Sequence, residues 1–232
     1  MARVLAADHG KRVLLVDDDQ QGNLSQYFGV KADDVNSTWT LMTWGAGYYP
    51  DFLTPTEEAN ISIIPTNMSL AYADTDDRAD VRAIEDLREA IEEDAAFDFC
   101  IIDCPPSLGN AAKAALLAAD EVIIPVRLDM FSVAGMGELT RQVDTVRSIN
   151  PRLRVAGILG TQFQRTPDEI SIYEYLRDKS GLPVFRTCIR FSRMMGGSIA
   201  RHESVLTFSP HSAASKDYRN FVREYLRKEA GK

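Results

Sequence analysis

The chain has 232 residues, 45% of them apolar, and a formal net charge of −8, enough material for one α/β domain or two small ones. No apolar run approaches the roughly 18 residues of a membrane helix, and no basic, apolar, small-residue signal pattern opens the chain. Three cysteines, Cys100, Cys104 and Cys188, are too few and too odd in number for a disulfide framework and suit a reducing cytoplasm.

In chain order, Met1–Asp8 reads as the last turns of a helix ending at His9-Gly10. A doubly wound domain rarely opens on half a helix, so a strand and the start of that helix are expected upstream. Arg12–Asp17 (RVLLVD) reads as a strand, and Trp39–Tyr49 as an aromatic surface loop or short helix over the core. Ile61–Ile64 is the next strand. Asp80–Asp94 follows as a helix with Val81, Ile84, Leu87 and Ile91 on one stripe. Strand Phe99–Asp103 (FCIID) leads to an Ala/Leu-rich helix over Asn110–Ala119, then to strand Glu121–Val126. Helix Ser132–Ser148 carries Met136, Leu139, Val143 and Val146. Strand Val155–Gly160 comes before helix Thr166–Ser180. There Thr166 is the expected N-cap, Pro167 the N1 residue and Glu169 the capping-box partner, with Gly181 as the stop. Val184–Cys188 reads as a last strand, and His211–Lys228 closes the chain with Tyr218, Phe221, Val222 and Tyr225 inward.

Most of these strands are continuous apolar runs, the pattern of strands covered on both faces. Regular strand–helix alternation predicts a doubly wound α/β fold with a mostly parallel sheet and helices on both faces. No linker, repeat or low-complexity stretch divides residues 1–232, which are therefore read as a single domain.

Two strand ends carry chemistry. RVLLVD runs into Asp17, Asp18, Asp19, Gln20, Gln21, Gly22 and Asn23. Carboxylates at the C-terminal end of a parallel strand lie where open α/β sheets bind ligands. Three acids in a row repel one another unless a cation or its waters sit between them, although a polar turn would look the same. FCIID ends in Asp103 and continues as Cys104, Pro105, Pro106, Ser107, Leu108 and Gly109. An apolar strand ending in Asp is the Walker B arrangement, in which the carboxylate holds a magnesium water beside nucleotide phosphates. The prolines fix a rigid departure, and Gly109 permits a backbone turn close to a ligand. Cys100 and Cys104 have no second pair with them, which argues against a metal centre built on thiolates.

Together these segments resemble the ParA/MinD family of deviant Walker ATPases, in particular its Soj-like partition branch. VLLVDDDQQGN is similar to the family's apolar strand followed by D-x-D-P-Q-G-N, with Gln20 in place of proline. FDFCIIDCPPSLGNAAKAALLAADEVIIPV closely matches the switch segment, and ISIIPTN resembles the strand ending in Pro-(Ser/Thr)-Asn. The resemblance implies a P-loop NTPase-like fold binding ATP and Mg2+. It implies a homodimer closed by ATP, binding non-specific DNA, and a ParB-like centromere-binding protein that stimulates hydrolysis during plasmid or chromosome segregation. It implies no membrane partner and a place in the bacterial cytoplasm at the nucleoid. By position, Asp19 matches the acid that orients the attacking water. Asp17 matches the first acid of that motif, near the magnesium, and Asp103 the Walker B acid. Pro106 follows Asp103, and Ser107, Leu108 and Gly109 fall in the switch loop.

Arg165 stands where the family carries a DNA-binding arginine. Arg190, Arg193, Arg201 and Arg219 fall in a basic stretch, residues 186–232, with 10 Lys/Arg against 4 Asp/Glu. The other 185 residues hold 16 against 30. Phosphate contacts by such arginines would be salt-sensitive and sequence-blind; equally, some of these side chains could only solvate helices or pair with acids. The family's glycine-rich loop, K-G-G-x-G-K-[ST], has no counterpart here, since Gly10-Lys11 precedes Arg12 and Gly231-Lys232 has no Ser or Thr after it. The loop is expected just upstream of Met1, and the chain as written is expected to hold ATP poorly. The alternative is a shortened, non-hydrolysing relative that acts as a DNA- or partner-binding module. A response-regulator receiver is disfavoured because no Lys-Pro occurs, and a dinucleotide-binding dehydrogenase because no G-x-G-x-x-G follows a strand.

Overall fold

The apolar run after Arg12 becomes strand β1 (Val13–Asp17), and all five of its residues are buried. Burial without alternation means that both faces of the strand are covered, the setting to which a continuous valine and leucine run is suited. The computed structural model describes residues 1–230 except Asp34, Tyr48 and Leu108; of residues 131–136, 138, 139, 142 and 230 it describes the helical backbone only. The chain divides into two units, Met1–Ala119 and Asp120–Lys232.

In the first unit, helix α1 (Ala2–His9) ends at Gly10, whose φ of 63° is a left-handed cap that glycine adopts without strain. After β1 come α2 (Asn23–Tyr27), α3 (Thr38–Trp44), β2 (Thr54–Pro55), β3 (Ile61–Ile64), α4 (Ala83–Asp94), β4 (Phe99–Asp103) and α5 (Asn110–Ala118). Two 3-10 turns, Tyr49–Phe52 and Met68–Asp74, complete it. The sheet order is β2-β3-β1-β4. β1 is parallel to β3 and β4, and the two-residue β2 is antiparallel to β3. Leu14 and Val16 pack with Leu41 and Met42 of α3 and with Ile84 and Leu87 of α4. Val13 and Leu15 are also buried and alternate to the other face, where α1 contacts the strand with Val4 and Leu5 enclosed. Truncating a fully buried leucine such as Leu14 to alanine would cost about 2–5 kcal/mol.

Two sequence expectations change here. α4 starts at Ala83 and not at Asp80, because Asp80 holds a turn: its Oδ1 accepts from the Arg82 N–H at 2.8 Å. β4 is only half-buried to exposed along its length, since it forms the edge of this four-stranded sheet.

In the second unit β5 (Glu121–Arg127) pairs in parallel with β6 (Arg154–Thr161), with a bulge between Val122 and Ile123. Helices α6 (Met130–Arg147), α7 (Pro167–Lys179), α8 (Arg193–Ala200), α9 (Val205–Phe208) and α10 (Ala213–Ala230) make up the rest. Ile124, Val126, Leu128, Ile158 and Leu176 form its core. Val143 and Val146 of α6 are buried, whereas the side chains of Met136 and Leu139 lie outside the described residues. The capping box at Thr166 and Glu169 forms as expected, with Pro167 at N1. In α10, Phe221, Val222 and Tyr225 are buried and Tyr218 partly so.

Val184–Cys188 is not a strand. The segment follows β6 through isolated bridges at Ile158–Val184 and Phe163–Arg190. Between them the Arg186 and Thr187 N–H groups turn away to the Glu224 carboxylate of α10, at 2.7 and 2.9 Å. A side chain has taken the donors a ladder would need.

Candidate active site

The register of β1 against β4 pairs Asp17 with Asp103. Two apolar strands of matched length thus deliver two carboxylates, level with each other, at the C-terminal edge of a parallel sheet. The Asp18 N–H then donates to the Asp103 carbonyl at 2.9 Å and carries the pairing one residue further.

Asp17 is fully buried, yet its carboxylate is well supplied with donors. Oδ2 accepts from the Ser25 N–H at 2.7 Å and from the Ser25 hydroxyl at 2.6 Å, and Oδ1 from the Asp19 N–H at 3.4 Å. Gly22 makes this possible, because its φ of 61° turns the chain back so that α2 begins beneath the acid. The Ser25 Oγ in turn accepts from the Thr66 N–H at 3.1 Å, and the Thr38 hydroxyl donates to the Asp17 carbonyl at 2.7 Å. Burial raises the Asp17 pKa, the Ser25 and Asp19 hydrogen bonds pull it down, and the charge of Asp19 pushes it up again. Asp103 is raised first by partial desolvation and then by the neighbouring Asp17 and Asp19.

Asp18 is fully buried, and neither carboxylate oxygen has a hydrogen-bond partner. Its pKa is driven well up by burial, then by Asp17, Asp19 and Asp103. Asp19 is half-buried, and its Oδ1 accepts from the Gln21 N–H at 3.0 Å, leaving the other oxygen for a ligand. Crowded acids whose mutual repulsion goes uncompensated suit a hydrated cation. Among the described residues no three His, Cys, Asp or Glu side chains converge as a direct metal shell. Asp17 and Asp103, set level by the strand register, are the carboxylates that could hold such a cation through its waters. No Gly-Lys-Ser/Thr run occurs in the 232 residues.

Past Asp103 the chain leaves through Cys104 and Pro105 to Pro106 and Ser107, both exposed. Leu108 lies outside the described residues. Gly109 has φ −76° and ψ −164°, a conformation open to any residue, so it is not glycine for the sake of its backbone. A Cβ there would collide with the carboxylate of Asp74. That carboxylate accepts from the Asn110 N–H at 2.6 Å, and the Asn110 side-chain amide donates to the Ala73 carbonyl at 2.9 Å. The close approach expected of Gly109 is thus to an acid of the same chain.

The arginines belong to the second unit and differ in their surroundings. Arg165 is exposed in a left-handed conformation with φ 63°. Its turn is held because Glu169 Oε2 accepts from both the Gln164 and Thr166 N–H groups, at 2.9 and 3.0 Å. Arg193 is exposed at the start of α8. Arg190 is committed elsewhere: its guanidinium donates to both oxygens of Asp217, at 2.7 and 2.8 Å, and Asp217 is buried. Arg201 lies over the Phe208 ring, 5.0 Å from its centroid, and Arg219 is half-buried on α10.

Sequence reasoning missed Ser25, Thr38 and Asp74. Each acts over a sequence distance that no local motif reports, eight, twenty-one and thirty-six residues from its partner.

Residues 1–155 match a family model described as an AAA domain, AAA_31. Over 223 residues the chain is 31% identical to the sporulation initiation inhibitor protein Soj of Bacillus subtilis, covering 93% of this chain and 86% of that protein. Over 229 residues it is 30% identical to the chromosome partitioning protein ParA of Myxococcus xanthus, covering 96% and 80%. Among solved structures, cobyrinic acid a,c-diamide synthase from Mycobacterium smegmatis with bound ADP and magnesium superposes with a TM-score of 0.77 at 29% identity. That match covers 100% of this chain and 89% of the synthase chain.

Proposed function

Because the chain belongs to the ParA/MinD family of ATPases, with Soj- and ParA-type partition proteins as its relatives, we propose that it drives partition of a plasmid or chromosome by an ATP-dependent cycle. ATP closes a homodimer, the dimer holds DNA without sequence preference, and a ParB-like centromere-binding partner stimulates hydrolysis and releases it. The setting is the bacterial cytoplasm at the nucleoid. No helix among the described residues is long and apolar enough to cross a membrane.

The observation that carries the catalytic half is the strand register that sets Asp17 beside Asp103, with the half-buried Asp19 two residues beyond. A magnesium ion, when bound, supplies positive charge to the phosphates. Asp17 and Asp103 would hold its waters. Ser25 and Thr38 keep Asp17 from turning, so that the acid is oriented before nucleotide arrives. Asp19 uses its spare oxygen to accept a hydrogen bond from the attacking water and aims that water at the terminal phosphoryl group. Pro106, Ser107 and Gly109 give the loop that senses the phosphate. Arg165 and Arg193, both exposed, are the first candidates for DNA phosphates, with Arg219 secondary and Arg190 held by Asp217.

The test is ATP binding and turnover, with and without DNA, by the 232-residue chain and by any in-frame upstream extension of it. Absence of ATP binding in both, or turnover undiminished by Asp19→Ala, would overturn the ATPase reading. A second reading is a non-hydrolysing DNA- or partner-binding module. It requires DNA or partner binding that is indifferent to ATP.

A further inference from the structure

Helix α5 begins at a glycine, and a glycine has no side chain with which to cap it. The carboxylate that does so comes from Asp74, at the end of the 3-10 turn Met68–Asp74. The same joint is fastened a second time in the reverse direction, by the Asn110 side-chain amide on the Ala73 carbonyl. Gly109 is the residue that leaves room for this, since a Cβ would strike the Asp74 carboxylate although the local backbone would accept one. Cap, counter-bond and steric vacancy therefore meet at one point. That point is the C-terminal anchor of the loop that starts at Asp103, whose other end is fixed by the β1–β4 pairing.

From this we infer that Asp74 is a positioning residue for the nucleotide site: by clasping the first turn of α5 it sets where the segment after Asp103 enters that helix. The inference rests on the nucleotide-site reading above. Among the described residues Asp74 makes no hydrogen bond to Asp17 or Asp103, and its effect passes through Gly109 and Asn110.

The experiment combines hydrogen exchange on the nucleotide-free full chain with steady-state ATP turnover. Asp74→Ala should speed amide exchange over residues 104–113 by about fivefold, the factor that loss of one helix cap implies, while the rest of the first unit exchanges as before. Turnover should fall about tenfold in kcat with KM within about twofold, the pattern of a group that matters to the transition state and not to binding. Asp74→Asn, whose amide oxygen still accepts from the Asn110 N–H, should restore most of both. Gly109→Ala should act like Asp74→Ala, and the double variant should add little to either, because both break one joint. Unchanged exchange over 104–113 in Asp74→Ala would overturn the clasp. Faster exchange with unchanged kcat in an active protein would overturn the positioning role. Absence of ATP binding and turnover from both the 232-residue chain and its in-frame upstream extension would instead overturn the parent reading, and is told apart because the exchange difference survives it.

Discussion

The two units handle charge in opposite ways. Residues 1–119 carry 8 Lys/Arg against 21 Asp/Glu, and residues 120–232 carry 18 against 13. The acidic unit draws its charges inward: Asp17 and Asp18 are fully buried at the tip of β1, and one of them is tied by three hydrogen bonds. The basic unit keeps Arg165 and Arg193 outside and anchors their surroundings with acids, Glu169 at the Arg165 turn and Asp217 and Glu224 along residues 186–190. A buried charge needs a fixed geometry and rewards it, as chemistry on a phosphoryl group requires. An exposed arginine keeps its water until a polyanion arrives, as weak, sequence-blind DNA contact requires. The contrast teaches that the count of arginines in a basic stretch overstates the number free to bind.

Five changes test that contrast, beginning with the largest effect. Asp19→Ala should lower kcat by about 100-fold or more and leave unfolding free energy within about 0.5 kcal/mol, since this acid bonds only a turn N–H in the structure. Loss of stability with retained turnover would place Asp19 among the structural acids. Arg190→Ala should cost about 2–3 kcal/mol because it strips a buried carboxylate of its cation, and should weaken DNA binding less than Arg165→Ala does. A variant that melts normally but releases DNA would return Arg190 to the DNA-contacting set.

Asp18→Asn should stabilise the protein at neutral pH by on the order of 1 kcal/mol, because the neutral amide carries no charge to desolvate or to be repelled by its neighbours. The sign follows from its raised pKa in the fold. The proton is bound more tightly in the folded than in the unfolded chain, where an aspartate titrates near about 4. Its contribution to stability is therefore fully present below that pH and is lost as pH rises through the folded value. Asp17 and Asp103 are raised as well and add slope of the same sign. Denaturant unfolding from pH 4 to pH 8 (about the accessible range) should show a gain for Asp18→Asn that grows with pH; a flat difference would mean that Asp18 finds a partner. Smallest of all, Thr166→Ala should remove about 1 kcal/mol of cap. Arg165→Ala should lessen the slope of log affinity against log salt by about 1, measured by DNA titration at several salt concentrations.

Much of this was readable in advance because it is local. The β1 and β4 runs, the acids that end them, the capping box at Thr166 and the glycine cap at Gly10 each follow from neighbouring residues, and each stands where the sequence puts it. What was not readable depends on contacts across the chain. Val184–Cys188 has the composition of a strand, but Glu224 claims the Arg186 and Thr187 N–H groups. Arg190 and Arg193 look alike in sequence, and only the fold brings Asp217 to one of them. Gly109 was read as making room for a ligand, whereas the space is filled by Asp74. Asp18 gives no sign in sequence that it differs from the acids on either side, because its burial is decided by what lies over the strand end.

Ser25 joins Asp17 at the end of β1 to Thr66 just past β3, and Thr38 adds a bond to each of the same two segments, at the Asp17 and Pro65 carbonyls. The tips of neighbouring strands are thereby laced into one rigid block, and Asp17 has no latitude to swing with the state of a ligand. Such an acid is a datum and not a messenger. In the proposed cycle it reports nothing about whether a phosphate is present or gone, and that task falls to the segment beyond Asp103.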